Sequence, residues 1–458
     1  MTQSRFAHIA ASLPPNAMVR RIASSFLSRV LGAVANLAFV IYLGRYLGAA
    51  QTGIYMIGLG AATLLSTIGR LGLEQIVIRE GGPLVRDSQW HALRCLYRRA
   101  LTLSLCVSIA IAALLLLINN PLAHYVFHQD SLGDVMPWFA ASIIPLAYAL
   151  MHVPFLQIIH RPEGSIAVLS LWIPLVSLPL ILLIHPQTGV QGAQIYLVAC
   201  VFNAAFAYAQ WRSFIACRSG HSNEEQAVQP SPLLAAAVPL LIGNVGQIAL
   251  LWIAVFAVGI SASPRAVGAY SIAQRVALTL SGFLLPPIDA LVGPRIAVMR
   301  GIKTRDEIEE MVRRISSLLF IVAAVVFALI LLFGREILKL FGNEFGEGYG
   351  ALVCLTFGQL VIVASGSIRP LLVVHGMEKA IRNAMVGAAT CCIVLCFLLL
   401  PYIGPLGAAI ATSLALAGEK IIEGVVARRR LGILVFPSVA LYALHVRTWL
   451  ARNHGQRS

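Results

Sequence analysis

The sequence predicts an all-α, polytopic membrane protein: twelve transmembrane helices in two pseudo-symmetric six-helix lobes. Three observations predict it. Of the 458 residues, 59% are hydrophobic and 12% charged, whereas soluble domains are about half apolar and a quarter charged. The apolar residues come in blocks of about 20, the length a helix needs to cross the hydrocarbon core; a β-barrel would show short alternating strands. The second half of the chain also repeats landmarks of the first at one fixed spacing, as expected of transporters built from parallel repeats.

The elements follow in order. Residues 1–21 form a polar lead containing "ASLPPNAM", which does not read as a signal peptide. Spans are expected at 22–44, 52–73, 97–118, 135–159, 165–184 and 190–211, making an N-terminal lobe over 22–211. Segment 212–232, with "CRSGHSNEEQAVQPSP" at its heart, reads as a flexible cytoplasmic linker. Further spans at 233–260, 267–292, 314–334, 349–375, 381–402 and 404–427 make a C-terminal lobe over 233–427. The basic tail, 428–458, holds an apolar run too short for a clean span, and its flanks suit a helix lying in the inner interface.

The net charge of +15 does not point to nucleic acid, because the basic residues cluster in alternate connections. The N-terminus, 74–96, 160–164, 212–232, 293–313, 376–380 and the tail are rich in Lys and Arg; the opposite set holds only Arg45, Arg265, Arg335 and Lys339. The positive-inside rule then places both termini in the cytoplasm. The 8 cysteines fall in spans or near their inner ends, so no disulfide framework is expected.

The repeat has an offset of 215 residues, as from Gly44 to Gly259. It also pairs Gly53 with Gly268, Tyr55 with Tyr270, Ser66 with Ser281, Glu74 with Asp289, Arg98-Arg99 with Arg313-Arg314, His160 with His375 and Glu163 with Glu378. "GVQGAQI" at 189–195 meets "GPLGAAI" at 404–410. Single matches are weak; one unbroken offset through glycine, charged and histidine landmarks is not. An even number of spans returns the second half in the same orientation, so an axis along the membrane normal is expected to relate the halves.

With Arg98, Arg99, Arg314 and Arg382 at span ends counted to the inner side, five cations remain within the expected spans: Arg29, Arg70, Arg275, Arg369 and Lys420. An arginine at a helix centre costs about 2.5–3.5 kcal/mol on insertion scales, so such a residue faces protein or water. Arg29 lies about seven residues, roughly 10 Å, into its span. Ser25, Arg29, Gly32 and Asn36 share one helical face, which marks the lining of a polar chamber. Its counterpart by the repeat is Asn244, with Gln247 three residues on. Ser271, Arg275, Thr279 and Gly282 form a similar face, with Arg275 about 12 Å from the outer end. The bland alternatives are snorkelling for Arg29 and an outer-leaflet anchor for Arg275. Arg70 and Lys420 sit near inner ends, where snorkelling is the first reading. Arg369, before Pro370, marks either a cavity lining or a kink, since a residue before proline is disfavoured in a helix. Glu419 and Glu423 beside Lys420 read as a local ion pair. The expected chamber is therefore positive and suits an anion, phosphate above all. The candidate substrate-binding residues are Arg29, Asn36, Arg70, Asn244, Gln247, Arg275 and Arg369. His124 and His128 lack a nearby third ligand, and the chain carries no Walker, H-E-x-x-H or G-x-S-x-G motif; neither catalysis nor a cofactor is expected.

The stretch "RVLGAVANLAFVIYLGRYLGAAQTGIYMIGLGAATLLSTIGRLGLEQIVIRE" (29–80), "LFGNEFGEGYGAL" and the G-x-x-G-A elements at Gly189 and Gly404 resemble the polysaccharide repeat-unit (O-antigen and exopolysaccharide) flippases of the multidrug/oligosaccharidyl-lipid/polysaccharide (MOP) exporter superfamily. The resemblance covers nearly the whole chain. It implies a V-shaped, MATE-like pair of lobes in the bacterial cytoplasmic membrane. It also implies a cargo, an oligosaccharide on a polyprenyl diphosphate, moved to the outer leaflet for lipopolysaccharide, capsule or exopolysaccharide synthesis. A proton or sodium ion is the candidate coupling ion; membrane lipids, a polysaccharide polymerase and chain-length machinery are the expected partners. Lipid II flippases usually carry fourteen spans, and twelve here argue against that branch. Two other readings compete: a cation-coupled multidrug exporter of the same fold, which would want a mid-membrane acid in the first lobe, and a membrane enzyme acting on polyprenyl sugars, which would want a large outer loop or an acidic metal motif. The sequence offers neither feature.

Overall fold

The computed structural model describes residues 15–216, 233–299, 304–366 and 368–437, and all regular structure among them is helical. The chain is a multi-pass membrane protein: ten of the described helical segments are long and apolar enough to cross a bilayer. The first, Leu27–Gly69, covers most of both of the first two expected spans, 22–44 and 52–73. It belongs to α1 (Pro15–Gly69), which bends at Gly48, where φ is 68°. The helix at the expected last span, 404–427, is Pro405–Val426 and is not among the ten; its second half carries Glu419, Lys420 and Glu423.

The chain forms two compact units, one ending at Ile248 and the other beginning at Ala249. In the first, α1 is followed by the amphipathic α2 (Leu73–Arg86) and by α3 (Trp90–Leu117). Next come α4 (Asp130–Ile158), α5 (Pro162–Ile184) and α6 (Gly189–Ala216). Helix α4 is the core: Phe139, Ile143, Ala147, Met151 and Phe155 are fully buried, and α1, α3 and α6 pack around it. Helix α5 widens into one π-helical turn at Ala167–Leu171, and the buried Asn203 of α6 donates from Nδ2 to the Val168 carbonyl there, at 3.0 Å. Local π turns alter backbone pairing in this way.

Helix α7 (Leu233–Ser261) begins in the first unit and ends in the second. The second unit continues with α8 (Pro264–Met299), α9 (Arg305–Lys339), α10 (Tyr349–Ala364) and α11 (Ile368–Val374). It closes with α12 (Glu378–Ile403) and α13 (Pro405–Val426). Helix α10 packs on α8, α9 and α13, and α12 on α13. Shifted by the repeat spacing, these are the partners that α4 has in α1, α3 and α6, and that α5 has in α6. Tyr55 and Tyr270, matched by the repeat, are both fully buried.

Two segments depart from the sequence reading. Arg369 is helical, in the first turn of α11, and the break comes earlier, at Ser365 and Gly366. Proline is tolerated in a first turn, whose N–H groups have no intrahelical partner. The start of the tail is not an interfacial helix. After a π turn at Ala427–Leu431, the chain from Gly432 to Pro437 is irregular and packs into the second unit's core, with Ile433 and Val435 buried. Alternation of Ile433 and Val435 turns both inward, as in an extended segment. Arg305 Nε donates to the Gly432 carbonyl at 3.0 Å, and the Leu434 N–H donates to Glu309 Oε2 at 3.1 Å. The rest of the tail and the core of the linker, 217–232, lie outside the described residues.

Candidate functional site

The polar stripe on the first span splits in two. Gly32 is buried against the π turn of α5, where an added Cβ would lie 2.5 Å from the Ser170 carbonyl oxygen. Glycine is thus the residue that lets the two backbones touch. Arg29 and Asn36, at the edge of that seam, are exposed on the first unit. Arg29 has no hydrogen-bond or ion-pair partner among the described residues. The side chain of Ser25 lies outside the description.

Arg70 and Asn244 are brought together by Glu74. Arg70 pairs through Nη1 with Glu74 Oε1, donates through Nη2 to Thr67 Oγ1 at 2.9 Å and through Nε to the Ser66 carbonyl at 3.3 Å. Asn244 Nδ2 donates to the other oxygen of Glu74, at 3.2 Å. Both charged side chains are about 15% exposed, at 14% and 16%. Arg70 therefore does not snorkel; its charge is met by Glu74 in the first turn of α2, just past the tight turn that joins α1 to it. That turn contains Gly72 at φ 72°, where a Cβ would sit 2.6 Å from the Leu241 amide nitrogen. The close approach and the Asn244–Glu74 bond hold the first half of α7 to the first unit, which is why the two units divide beyond the linker.

In the second unit, the Arg275 guanidinium lies over the Trp252 ring, 5.9 Å from its centre, and both residues are half-buried. Gln274 Nε2 donates to the Leu251 carbonyl at 2.9 Å, fixing α8 to α7 at the same level. Behind this contact is a small cavity lined by Gln274, Gln359, Thr412 and aliphatic side chains. Gln247, on the preceding stretch of α7, is exposed.

Arg369 is part of a four-charge cluster with Glu419, Lys420 and Glu423. It meets Glu419 Oε1 through Nη2 and Glu423 Oε1 through Nε at 3.5 Å. Lys420 Nζ reaches Glu423 Oε2 at 2.7 Å and Glu419 Oε1 at 3.5 Å. Glu419 and Glu423 are 3% and 0% exposed. Two cations and two anions make the cluster neutral, as a buried set of charges must be to escape most of its desolvation penalty. The local pair expected from sequence is present, and Lys420 is buried in it rather than snorkelling.

Of the sequence-predicted residues, the structure thus joins Arg70 to Asn244, ties Arg369 to the acids of α13, and leaves Arg29, Asn36 and Gln247 open. A family model described as polysaccharide biosynthesis protein matches residues 18–300. The chain belongs to the polysaccharide biosynthesis protein family. Its fold is that of MOP-superfamily transporters. It is similar to an inward-facing multidrug resistance MATE family transporter, with a TM-score of 0.69 and 14% identity over 90% of this chain and 98% of that one. It is also similar to the lipid II flippase MurJ in an inward closed conformation, with a TM-score of 0.68 and 13% identity over 90% and 87% of the two chains. A MOP superfamily transporter from Pyrococcus furiosus gives a TM-score of 0.60 at 16% identity over 91% and 95%. At these identities the likeness is one of fold. No curated protein matches by sequence.

Three residues in this polysaccharide biosynthesis family member escaped the candidate set: Glu74, Trp252 and Gln274. Glu74 was visible as a repeat landmark, and its carboxylate turns out to neutralise one predicted cation. Trp252 and Gln274 carried no signal beyond adjacency to polar faces, because their partners lie on another helix.

Proposed function

We propose that the protein is a flippase rather than an enzyme. In this reading it moves a polyprenyl-diphosphate-linked oligosaccharide repeat unit from the inner to the outer leaflet of the bacterial cytoplasmic membrane. Alternating access between two six-helix lobes carries the movement, with both termini in the cytoplasm. On the outer side, a polymerase and chain-length machinery consume the product as O-antigen or exopolysaccharide. A proton or sodium gradient is the candidate drive.

One observation carries the reading: a family concerned with polysaccharide biosynthesis occupies a membrane-transporter fold with a guanidinium, Arg29, that is exposed within a span and has no ion-pair partner among the described residues. A diphosphate headgroup is the part of such a lipid that a guanidinium fork recognises. Arg29 in the first unit and Arg275 in the second each offer a guanidinium to a diphosphate; Asn36 and Gln247 offer hydrogen bonds to sugar hydroxyls. Asn244 can reach a sugar only by leaving Glu74. Arg70 and Arg369, already bonded to carboxylates, set the shape and charge around the path. A cationic drug is a poorer cargo, since Glu74, Glu419 and Glu423 are each engaged by a cation.

The test is translocation of a fluorescent polyprenyl-diphosphate sugar in proteoliposomes, read by accessibility to a membrane-impermeant reagent. Protein-dependent flipping is expected, slowed about tenfold or more by Arg29→Ala with insertion intact. Absence of flipping across a range of such lipids would overturn the proposal.

A further inference from the structure

We propose that Trp252 is a sugar-stacking residue, set beside Arg275 to read the first sugar of the cargo; this rests on the flippase reading above. The geometry begins with a doubled contact between α7 and α8. Gln274 donates to the carbonyl of Leu251 at 2.9 Å, and the next residue on each helix, Arg275 and Trp252, places a guanidinium over an indole ring. A hydrogen bond adjacent to both residues fixes their relative position, the preorganisation that a recognition site needs. Both side chains are half-buried, so they are supported from behind yet reachable from outside.

The chemistry follows from connectivity. In a polyprenyl-diphosphate sugar, the first sugar is joined through its anomeric oxygen directly to a phosphate. A phosphate held by the in-plane N–H donors of Arg275 therefore delivers a pyranose ring to the neighbourhood of whatever lies against that guanidinium. Here it is the largest aromatic side chain there is. Indole offers a flat apolar surface at small conformational cost, and the C–H face of a pyranose is its complement. Stacking needs no specific hydroxyl pattern, so Trp252 would distinguish a sugar-bearing lipid from a bare lipid diphosphate, and not one sugar from another.

The repeat supplies an independent argument. Features of the common scaffold recur in both halves, as Tyr55 and Tyr270 do. The Arg275–Trp252 pair does not recur: its counterparts at the 215-residue offset are Gly60 and Leu37. A pair absent from the duplicate is not required by the fold that the halves share. It is what a site for an asymmetric headgroup would add to one half.

The experiment compares binding of two probes to detergent-purified wild type, Trp252→Ala, Trp252→Phe and Arg275→Ala: polyprenyl diphosphate, and polyprenyl diphosphate bearing one N-acetylglucosamine. Wild type is expected to prefer the sugar-bearing probe by about three- to tenfold, the range of one aromatic stacking contact. Trp252→Ala should erase that preference while leaving the bare lipid within about twofold; Trp252→Phe should keep most of it. Arg275→Ala should weaken both probes. A preference intact in Trp252→Ala would overturn the proposal. So would an equal loss of both probes, which would show that Trp252 only props Arg275. Failure of wild type to bind either lipid would instead overturn the flippase reading, and the role of Trp252 with it.

Discussion

Replacing Lys420 with methionine tests whether the buried charge cluster works as one neutral object. The substitution removes the 2.7 Å contact to Glu423 and the 3.5 Å contact to Glu419. Glu423, 0% exposed, is then left with Arg369 Nε at 3.5 Å as its remaining cation in the cluster, and Arg369 must also serve Glu419. Two carboxylates share one guanidinium, and the site carries a net negative charge. Breaking a buried pair by deleting one member costs about 3–5 kcal/mol. For a body the size of the second unit, that corresponds to an apparent unfolding midpoint lower by roughly 6–20 °C. The double variant Lys420→Met with Glu423→Gln restores neutrality, and its midpoint should return most of the way. The assay is thermal unfolding of purified protein in one detergent at pH 7, followed by intrinsic fluorescence and by loss of monodisperse material. A Lys420→Met midpoint within about 2 °C of wild type would refute the argument. So would a double variant no more stable than the single, because charge balance would then not be what the cluster supplies.

Three further outcomes follow from particular contacts. Gly72→Ala places a Cβ against the α7 backbone at a left-handed φ and should lower the unfolding midpoint by several degrees, whereas Gly82→Ala, with open space around it, should not. Truncation after Leu431 removes the buried Ile433 and Val435; it should destabilise by about 3–6 kcal/mol more than truncation after Pro437, at about 1.5–3 kcal/mol per buried aliphatic side chain, as compared by thermal unfolding. Glu74→Gln removes the charge opposing Arg70 and weakens the bond from Asn244. Proteolysis under native conditions should then cut faster around 212–232 as the first half of α7 loosens, while Glu80→Gln should leave the rate unchanged.

The membrane class and the helical order were legible because they rest on local pattern: apolar blocks, charge between them, and a spacing that recurs. Glu419, Lys420 and Glu423 were legible as an ion pair for the same reason, since neighbours on one helix meet at fixed intervals. Their fourth member was not. Arg369 lies 50 residues away from Glu419, and nothing in a one-dimensional pattern says which helices touch. The same holds for Asn244 and Glu74, separated by 170 residues. The stripe of Ser25, Arg29, Gly32 and Asn36 shows the reverse error. A shared helical face was read as a shared environment, yet Gly32 meets protein backbone while Arg29 and Asn36 do not. A face spans a wide arc, and its edge and centre have different neighbours.

The path of α7 bears on how motion passes along the chain. A helix that begins in one body and ends in the other behaves as a shaft: torque applied at Asn244 arrives at Trp252 with little loss, since every intervening peptide is hydrogen-bonded. Gly243 and Gly246, which flank Asn244 and Val245, are where such a shaft would yield first. Stiffening them with alanine would be felt as slower turnover long before it was felt as weaker grip on the cargo.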